Sequence, residues 1–279
     1  MTTLRTVYAD MVAQFKAAGV VDASLDAKLL LAHAAGVPSS RILLELDEPA
    51  IGATFVLAQG FANRRAIDRE PVAKILGTKS FWGRQFHVNA HVLDPRPETE
   101  ELVAAALRAP FQSVLDLGTG SGCILLSLLG DRPMAWGVGV DASVQALQVA
   151  RKNANKIGLN DRAQFLKSDW FAQVPEKSFD LIVSNPPYVT DAEYKTISAE
   201  TRHDPRMALT DGDDGLTAYR AIADSVDPFL NAGGRLLFEI GPTQSKDVKQ
   251  ILIAAGFDNP THFCDIDDRP RVISAVKAK

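Results

Sequence analysis

The chain has 279 residues, of which 46% are hydrophobic and 23% are charged. That balance is typical of a globular protein with a substantial core, and the length predicts one or two domains. The formal net charge is -4, whereas a protein that holds nucleic acid through its phosphates normally carries a basic excess. The charge therefore disfavours nucleic acid as a direct partner.

Cysteines and histidines give no sign of a disulfide framework or of a metal site. Cys123 and Cys264 lie far apart in the sequence, and zinc sites need paired spacing. His87 and His91 would share one strand face, but four residues of strand separate them by about 13 Å. We expect free thiols and no bound metal.

The start of the chain, Met1 to Arg5, lacks the charged residues and apolar stretch of a signal peptide. The apolar run from Ile124 to Gly130 is far too short to cross a membrane. These features predict a cytoplasmic protein that does not bind a membrane, and we expect it to act as a monomer.

Residues 1–75 show the periodicity of helices. Apolar side chains recur at three- and four-residue steps in two runs. The first run is Val7, Met11, Val12 and Phe15, and the second is Leu25, Leu29 and Leu30. Glycines at positions 19 and 36 end the first and the second run. The pattern predicts a small helical N-terminal domain.

A third helix is predicted over about residues 54–69. Four apolar side chains should face inward and three arginines outward, on a solvated face. The inward set is Phe55, Leu57, Phe61 and Ile67, and the outward set is Arg64, Arg65 and Arg69.

After Pro71 the pattern changes. Val72 to Leu76 and Phe81 to Val88 carry β-branched and aromatic residues interrupted by glycines. They predict a short β-hairpin, which serves as a linker over residues 76–95. In Pro95–Glu100 two prolines forbid continuation of a strand, and the acidic residues suit the first turn of a new helix.

Residues 96–279 alternate between short apolar strands and helices, the pattern of a doubly wound, mostly parallel sheet. The predicted strands are residues 113–117, 135–140, 163–167, 180–183, 235–240 and 272–276, and the helices include residues 123–129 and 143–157. Ligands of such sheets bind beyond the carboxyl ends of the strands. The residues that come directly after each strand are therefore candidate site residues.

The segment after the first strand is rich in glycine and opens a helix. Its candidate cofactor-binding residues are Asp116, Gly118, Thr119, Gly120, Ser121 and Gly122. Glycines in this context let the backbone turn sharply and approach a ligand closely. The dinucleotide fingerprint requires a further glycine at position 123, which is Cys123 here. The segment indicates a nucleoside cofactor and disfavours a nicotinamide dinucleotide.

Two later strands end in residues that suit a nucleoside. Asp141 comes about twenty residues after the glycines, where a carboxylate can accept hydrogen bonds from ribose hydroxyls. Asp169 and Trp170 come after the third strand, where a polar group and a flat ring could flank an adenine. The alternative for Trp170 is an ordinary place in the core.

The fourth strand is followed by Asn185, Pro186, Pro187 and Tyr188. Prolines donate no backbone hydrogen bonds, so the carbonyls of this turn are free and rigidly aimed. The Asn185 side chain adds an acceptor oxygen, and Tyr188 offers a flat face for stacking. We predict that these four residues bind an –NH2 group, that Asn185, Pro186 and Tyr188 are catalytic, and that Asn185 also adjoins the cofactor.

The combination of Asp116–Gly122 with Asn185–Tyr188 resembles class I methyltransferases that act on amide or exocyclic nitrogen. Further motifs resemble the peptide-chain release factor glutamine N5-methyltransferases, known as PrmC or HemK. These motifs are Arg69–Val72, Phe81–Gly83, Pro95–Glu100, Asp204–Leu209, Asp213–Leu216 and Glu239–Gly241. The resemblance extends from Leu25 to the end of the chain. It departs at Asp94, where the family commonly has an apolar residue.

The resemblance implies a class I, Rossmann-like methyltransferase domain at residues 96–279 that uses S-adenosyl-L-methionine and releases S-adenosyl-L-homocysteine. It implies that the glycine segment, Asp141 and Trp170 bind this cofactor. It also implies that Asn185–Tyr188 bind the glutamine of a Gly-Gly-Gln motif, and that the N-terminal helices help to recognise the release factor.

Three alternatives stay open. A sister enzyme would methylate a ribosomal-protein glutamine, which the motifs do not distinguish. A DNA adenine-N6 methyltransferase would need a flipped base and a basic cleft, against which the acidic balance argues. A binding module with a degenerate cofactor site is disfavoured by the intact glycines and Asn185.

Overall fold

A computed structural model describes residues 2–175 and 177–278 of the chain. The chain divides into two compact units. The first contains Met1–Gly77 together with Ser198–His203, and the second contains Thr78–Ile197 and Asp204–Lys279. The chain thus leaves the second unit after Ile197 and returns to it at Asp204. None of the described helices combines the length and apolar character that crossing a membrane requires.

Four helices lie in the described part of the first unit, where the periodicity predicts helices. They are α1 (Leu4–Ala17), α2 (Ala23–Ala35), α3 (Ala53–Ala66) and α4 (Val72–Leu76). Thr3 begins α1 by accepting a hydrogen bond from the backbone N–H of Thr6. Met11 and Phe15 of α1 and Leu30 of α2 are fully buried in the core of this unit.

The prediction for the inward face of α3 was right in part. Phe55 and Phe61 pack, partly buried, against the core of this unit. Leu57 and Ile67, also expected in the core, are exposed, whereas Arg65, expected in solvent, is 7% exposed. The other buried residues of the helix are Ala58, Ala62 and Ala66, whose small side chains let α3 lie close against its neighbours.

Arg65 can be buried because its guanidinium is paired twice. Its Nε donates to Asp26 Oδ2 at 2.7 Å, and its Nη1 contacts Glu200 Oε1 at 3.2 Å. Arg69 also pairs with Glu200. A charge is rarely buried without such partners. These ion pairs explain why Ser198–His203 belongs to the first unit, although 120 residues separate Gly77 from Ser198 along the chain.

Residues 72–76 form the helix α4, and the prediction that they begin a hairpin was wrong. Pro71 precedes α4, and Gly77, with φ of 68°, ends it in the left-handed conformation. The hairpin comprises β1 (Thr78–Phe81) and β2 (Arg84–His87), paired antiparallel. Phe81 and Phe86 are buried in the core of the second unit, so the hairpin packs as part of that unit.

Seven strands form the sheet of the second unit in the described chain. They are β3 (Ser113–Leu117), β4 (Trp136–Asp141), β5 (Ala163–Lys167), β6 (Phe179–Ser184), β7 (Leu230–Glu239), β8 (Asp258–Cys264) and β9 (Pro270–Val276). Their order is β5-β4-β3-β6-β7-β9-β8; the first five are mutually parallel, and β9 is antiparallel to both of its neighbours. The predicted mostly parallel sheet is confirmed.

The strand β8 is missing from the sequence-based prediction. It lies at the edge of the sheet, its register with β9 shifts twice, and most of its residues are exposed or partly exposed. Asn259 and Pro260 interrupt it, and Asn259 has a positive φ of 45°. An irregular edge strand of this kind lacks the apolar alternation by which strands are recognised.

Helices cover both faces of the sheet. They are α5 (Glu100–Leu107), α6 (Cys123–Asp131), α7 (Val144–Ile157), α8 (Asp191–Tyr194), α9 (Arg206–Leu209), α10 (Thr217–Ser225) and α11 (Ser245–Ala254). Side chains of α5, α6 and α7 pack on one core, and those of α10 and α11 on the other. Val114 faces the first core and Leu115 the second, as alternation along a strand requires.

The site is positioned by the point at which the strand order reverses. From β3 the chain continues to β4 and β5 on one side, and then to β6 and β7 on the other. Leu117 of β3 pairs with Ser184 of β6 at the carboxyl edge. Ligands of open α/β sheets bind at such a switch point.

Candidate active site

A cavity opens at this carboxyl edge, within the second unit. The predicted site residues in its wall are Gly118, Thr119, Gly120, Ser121, Asp141, Asp169, Trp170, Asn185 and Pro187. They come from the ends of four different strands, β3, β4, β5 and β6. The fold thus brings the predicted cofactor residues and the predicted –NH2-binding residues to one place.

The loop from β3 to α6 turns through three glycines with positive φ. The values are 71° at Gly118, 54° at Gly120 and 79° at Gly122. Gly118 and Gly120 face the cavity, but Gly122 does not line it. A Cβ at Gly122 would lie 3.2 Å from the Cβ of Ala150 on α7. Gly122 therefore lets α6 and α7 pack closely, which differs from the cofactor contact predicted for it.

Asp116 supports the loop from below and does not line the cavity. It is fully buried, and its Oδ2 accepts a hydrogen bond from the Thr119 hydroxyl at 2.7 Å. Burial raises the pKa of Asp116 to about 7. Its position is that of a loop anchor, and the cofactor-binding role predicted for it stays a prediction.

Asp141 ends β4 and lines the cavity. Its Oδ2 accepts from the backbone N–H of Gly120 at 2.9 Å, and its Oδ1 from that of Ser143 at 2.8 Å. Burial raises the pKa of Asp141, and these two hydrogen bonds oppose the rise. Each oxygen keeps a lone pair for a further donor, so the carboxylate can still accept from a ligand.

Trp170 belongs both to the cavity wall and to the adjoining core. Its φ of 44° is a left-handed conformation that is uncommon outside glycine. The turn is fixed by the Ser168 hydroxyl, which donates to the Trp170 carbonyl at 2.7 Å and accepts from the N–H of Gln173 at 2.9 Å. Asp169, which lies between Ser168 and Trp170 in the sequence, is exposed at the rim of the cavity.

Asn185 is held at the end of β6 by its neighbours. The Ser184 hydroxyl donates to the carbonyl of Leu117 at 2.7 Å, which ties β6 to β3. The Asn185 Nδ2 donates to Thr99 Oγ1 at 3.3 Å. Asn185 and Pro187 both line the cavity.

Pro186 and Tyr188 lie outside the described cavity wall. Pro186 is buried. Tyr188 is partly buried and packs against the core on which α10 and α11 lie. Burial raises the pKa of the Tyr188 hydroxyl, so it stays neutral near pH 7. The Tyr188 carbonyl accepts from Gln244 Nε2 at 3.1 Å. The catalytic roles predicted for these two residues stay predictions.

Sequence reasoning missed the opposite wall of the cavity. Thr99 and residues 91–96 line it, and so do Pro205, Met207 and Ala208. Arg96 Nη2 donates to Asp204 Oδ2 at 2.6 Å, which ties these two segments together. Both segments carry motifs that resemble the family, so the sequence did mark each of them. It could not show that they meet, because no periodicity relates residues 108 positions apart.

The wall suits a nucleoside. Gly118 and Gly120 leave the backbone bare beside the cavity, and Asp141 offers carboxylate oxygens for hydroxyl groups. A Cβ at Gly118 would point at the Trp170 ring, 3.9 Å away, so the flat ring faces the loop. Among the residues that the structure describes, no cluster of three or more His, Cys, Asp or Glu could hold a metal ion.

The comparisons with known proteins agree with this geometry. A release factor glutamine methyltransferase from Cereibacter sphaeroides is 46% identical to the chain over 265 residues, which cover 95% of each protein. The chain belongs to the release factor glutamine methyltransferase family. The predicted resemblance is confirmed.

Models of two domains match the family assignment. The PrmC N-terminal domain matches residues 6–77, and the methyltransferase small domain matches residues 97–213. The second match contains both the glycine loop and Asn185–Tyr188. The first ends at Gly77, the last residue of the first unit before the hairpin.

Solved structures show the fold of the second unit. A methyltransferase from Pyrococcus furiosus has a TM-score of 0.55 at 18% identity, covering 72% of this chain and 92% of that one. A T. thermophilus 16S rRNA methyltransferase in complex with AdoMet and guanosine has a TM-score of 0.52 at 22% identity, covering 72% and 49%. The predicted class I methyltransferase fold is confirmed.

Proposed function

We propose that this protein transfers a methyl group from S-adenosyl-L-methionine to the side-chain amide nitrogen (N5) of the glutamine in the Gly-Gly-Gln motif of translation release factors. One observation carries the proposal. The glycine loop, Asp141 and Asn185 line a single cavity, in a chain of the release factor glutamine methyltransferase family.

The cofactor would be held by the β3, β4 and β5 ends of the cavity. The backbone of Gly118–Ser121 can approach it closely, the Asp141 carboxylate can accept from ribose hydroxyls, and Trp170 can flank the adenine. When bound, S-adenosyl-L-methionine supplies an electrophilic methyl group, and S-adenosyl-L-homocysteine is the product.

Asn185 would orient a poor nucleophile. The lone pair of an amide nitrogen is delocalised into its carbonyl, so the nitrogen must be held in the geometry of attack. Asn185 Oδ1, in the cavity wall, can accept one N–H hydrogen of the glutamine amide. The other is predicted to be accepted by the carbonyl of Pro186, which comes next in the sequence but lies outside the described wall. Positioning of this kind can lower a barrier by up to about 7–11 kcal/mol. Fixed dipoles also stabilise the positive charge that develops on the nitrogen.

No catalytic base is required by this mechanism. The amide nitrogen becomes acidic as it is methylated, so it can release its proton to water. Asp116 and Glu239 are therefore not needed as proton acceptors, and both are fully buried or nearly so.

The first unit would recognise the release factor. Several large apolar side chains of this unit are exposed, including Leu44, Ile51 and Val56 at 84%, 70% and 67%. Exposed side chains of this kind are available for contact with a protein partner. A glutamine side chain alone offers little surface, so remote contacts are needed for specificity.

Mass spectrometry of purified release factors tests the proposal, after incubation with the protein and isotope-labelled S-adenosyl-L-methionine. We expect one methyl group on the glutamine of the Gly-Gly-Gln motif. A ribosomal-protein preparation and adenine-containing DNA, offered in parallel, test the two alternative substrates. Methylation of either one without methylation of release factors would overturn the proposal.

Asn185→Ala should abolish methyl transfer and leave cofactor binding largely intact, because this residue holds the acceptor. Calorimetric titration with S-adenosyl-L-methionine and the mass-spectrometric assay measure the two effects separately. A comparable loss of cofactor affinity would assign Asn185 to the cofactor instead. The predicted cytoplasmic location and monomeric state stay predictions.

A further inference from the structure

Two buried polar side chains, Thr99 and Glu239, contact Asn185. Thr99 ends the 3-10 turn Pro97–Thr99 and is 3% exposed, and Glu239 ends β7 and is 1% exposed. Thr99 Oγ1 accepts from Asn185 Nδ2 at 3.3 Å, and the polar side chains of Thr99 and Asn185 both lie beside the Glu239 carboxyl, where they lower its pKa. The strand register explains the contact, because Ser184 of β6 pairs with Phe238 of β7.

The direction of each hydrogen bond is set by the chemistry of the groups. An ionised carboxylate only accepts, so the single hydroxyl hydrogen of Thr99 goes to Glu239. The Thr99 oxygen keeps a lone pair for Asn185. Both partners are therefore acceptors toward Asn185, and its amide must turn its NH2 group to them. Because Asn185 lines the cavity, Oδ1 is the polar atom left for a ligand.

The alternative orientation of the amide is unfavourable. Rotation by half a turn would place Oδ1 against a carboxylate and against the oxygen of Thr99. Buried acceptors without donors carry a large desolvation penalty. Glu239 already has one buried oxygen, Oε2, with no hydrogen-bond partner in the described structure. If the Asn185 amide rotated, the carboxylate would also lose the NH2 group of Asn185 as a donor.

We propose that Thr99 and Glu239 are positioning residues that fix the Asn185 amide with Oδ1 toward the acceptor nitrogen. The inference rests on the proposed function, since only a substrate nitrogen that carries N–H hydrogens requires a hydrogen-bond-accepting oxygen at this position. A flipped Asn185 would present its own NH2 to the NH2 of the substrate, and two donors repel. The pair acts through Asn185 and needs no contact with substrate.

Glu239 is itself held in place from two sides. The Tyr219 hydroxyl donates to its backbone carbonyl at 2.8 Å, and the charge of Arg271 on β9 lies nearby. Burial raises the pKa of Glu239 to about 7, and the hydrogen bonds from Thr99 and Asn185 oppose the rise. Protonated Glu239 could donate to Asn185 Oδ1, which would stabilise the flipped amide. Methyl transfer should therefore weaken as the pH falls through about 7.

The other ionisable groups that act on Glu239 are the Arg271 guanidinium and the carboxyl of Glu98, which is at the surface. Burial raises the pKa values of Tyr188 and Tyr219 above their usual range and that of Cys123 to about 12. These three groups are neutral near pH 7. Asp116, whose pKa is also raised to about 7, is present in the wild type and in Glu239→Gln alike, so a change of slope that the variant lacks reports on Glu239.

The test compares full-length variants on an intact release factor. Thr99→Val keeps the shape and removes the hydroxyl, Thr99→Ser restores it, and Glu239→Gln removes the charge. Ser127→Ala is the matched control, because Ser127 of α6 is fully buried and its hydroxyl has no hydrogen-bond partner in the described structure. Cofactor affinity, kcat, KM for the release factor and the melting temperature are measured for each.

We expect Thr99→Val to lower kcat by about tenfold or more, the sign of an interaction realised in the transition state. The Kd for S-adenosyl-L-methionine should stay within about twofold of the wild-type value. Thr99→Ser should recover most of the activity, and Ser127→Ala should behave as wild type. The kcat of the wild type should decline below about pH 7, and this decline should be absent in Glu239→Gln.

The inference is overturned if Thr99→Val keeps the kcat of the wild type, or if it weakens cofactor binding in proportion to the loss of activity. If Thr99→Val does not fold, the pH profiles of the wild type and Glu239→Gln decide, and identical profiles contradict the inference. Failure of the wild type to methylate any release factor contradicts the proposed function itself, so the two failures are distinguishable.

Discussion

Asp141 combines two contacts in one carboxylate. It accepts hydrogen bonds from the backbone N–H groups of Gly120 and Ser143. We propose that it also accepts hydrogen bonds from the ribose hydroxyls of the cofactor. Asp141→Ala should weaken binding of S-adenosyl-L-methionine by on the order of 1.5–3 kcal/mol, the scale of hydrogen bonds to a charged group. Calorimetric titration measures the change. Asp247→Ala, at an exposed position of α11, is the control, and an unchanged Kd for Asp141→Ala would mean that the ribose is held elsewhere.

Asp116 should make stability depend on pH. Burial raises its pKa to about 7, whereas an exposed aspartate has a pKa of about 4. The folded state therefore binds more protons than the unfolded state between about pH 4 and pH 7, and the free energy of unfolding falls as the pH rises through this window. Carboxyls with lowered pKa, such as Asp180, act with the opposite sign at lower pH.

Asp116→Asn isolates this effect, because asparagine has no titrating charge and can still accept from Thr119. Urea unfolding at several pH values should show that the wild type loses stability relative to the variant between about pH 4 and pH 7. The difference should change by up to about 4 kcal/mol, since three pKa units correspond to about 1.4 kcal/mol each, and then level off. Parallel curves would show that Asp116 is ionised throughout.

The candidate site could be predicted from the sequence where its residues come directly after strands. Gly118, Asp141 and Asn185 each stand at the end of a short apolar run, and parallel strands place such residues at one edge. Thr99 and Glu239 could not be connected in this way. Thr99 is 86 positions from Asn185, and only the neighbouring register of β6 and β7 brings Glu239 to the same amide.

Among the elements, periodicity identified helices and strands that bury one regular face. It failed in part for α3, where Arg65 is buried in an ion pair with Asp26 while Leu57 is exposed. It failed for α4, because five residues give too short a window to separate a helix from a strand. It failed for β8, because an exposed edge strand has no buried face to repeat.

Gly122 offers a test of packing between elements, with Gly158 as its matched control. Both have a left-handed backbone, with φ of 79° and 77°. A Cβ at Gly122 would lie 3.2 Å from Ala150 Cβ and from Leu126 Cδ1, whereas a Cβ at Gly158 would meet nothing within 4 Å. Gly158→Ala should lower the free energy of unfolding by about 1–2 kcal/mol, the conformational penalty alone.

Gly122→Ala adds a steric penalty to the same conformational one. Overpacking typically adds about 1–3 kcal/mol, so its total loss should exceed that of Gly158→Ala by this amount. Urea unfolding of the two variants measures the difference. Equal losses would mean that α6 and α7 can separate without cost, and that the loop glycine serves conformation only.

At the scale of the whole molecule, the chain carries a compact unit of helices before the methyltransferase fold. That unit also takes in Ser198–His203, through the ion pairs of Glu200 with Arg65 and Arg69. The same loop continues to Pro205 and Met207, which line the cavity. Residues that line the proposed site therefore follow closely in sequence on a segment that belongs to the first unit.

The proposed division of labour between the units is tested by removing residues 1–77. The fragment must begin at Thr78, because the hairpin residues Phe81 and Phe86 are buried in the core of the second unit. It keeps every residue assigned to cofactor and glutamine, so it should bind S-adenosyl-L-methionine with nearly the affinity of the full chain. It should methylate an intact release factor far less well, because contacts remote from the reacting atom hold the acceptor in place. On a short Gly-Gly-Gln peptide, which cannot make those contacts, fragment and full chain should be equally slow. If the fragment treats the release factor as the full chain does, the first unit is not the recognition element.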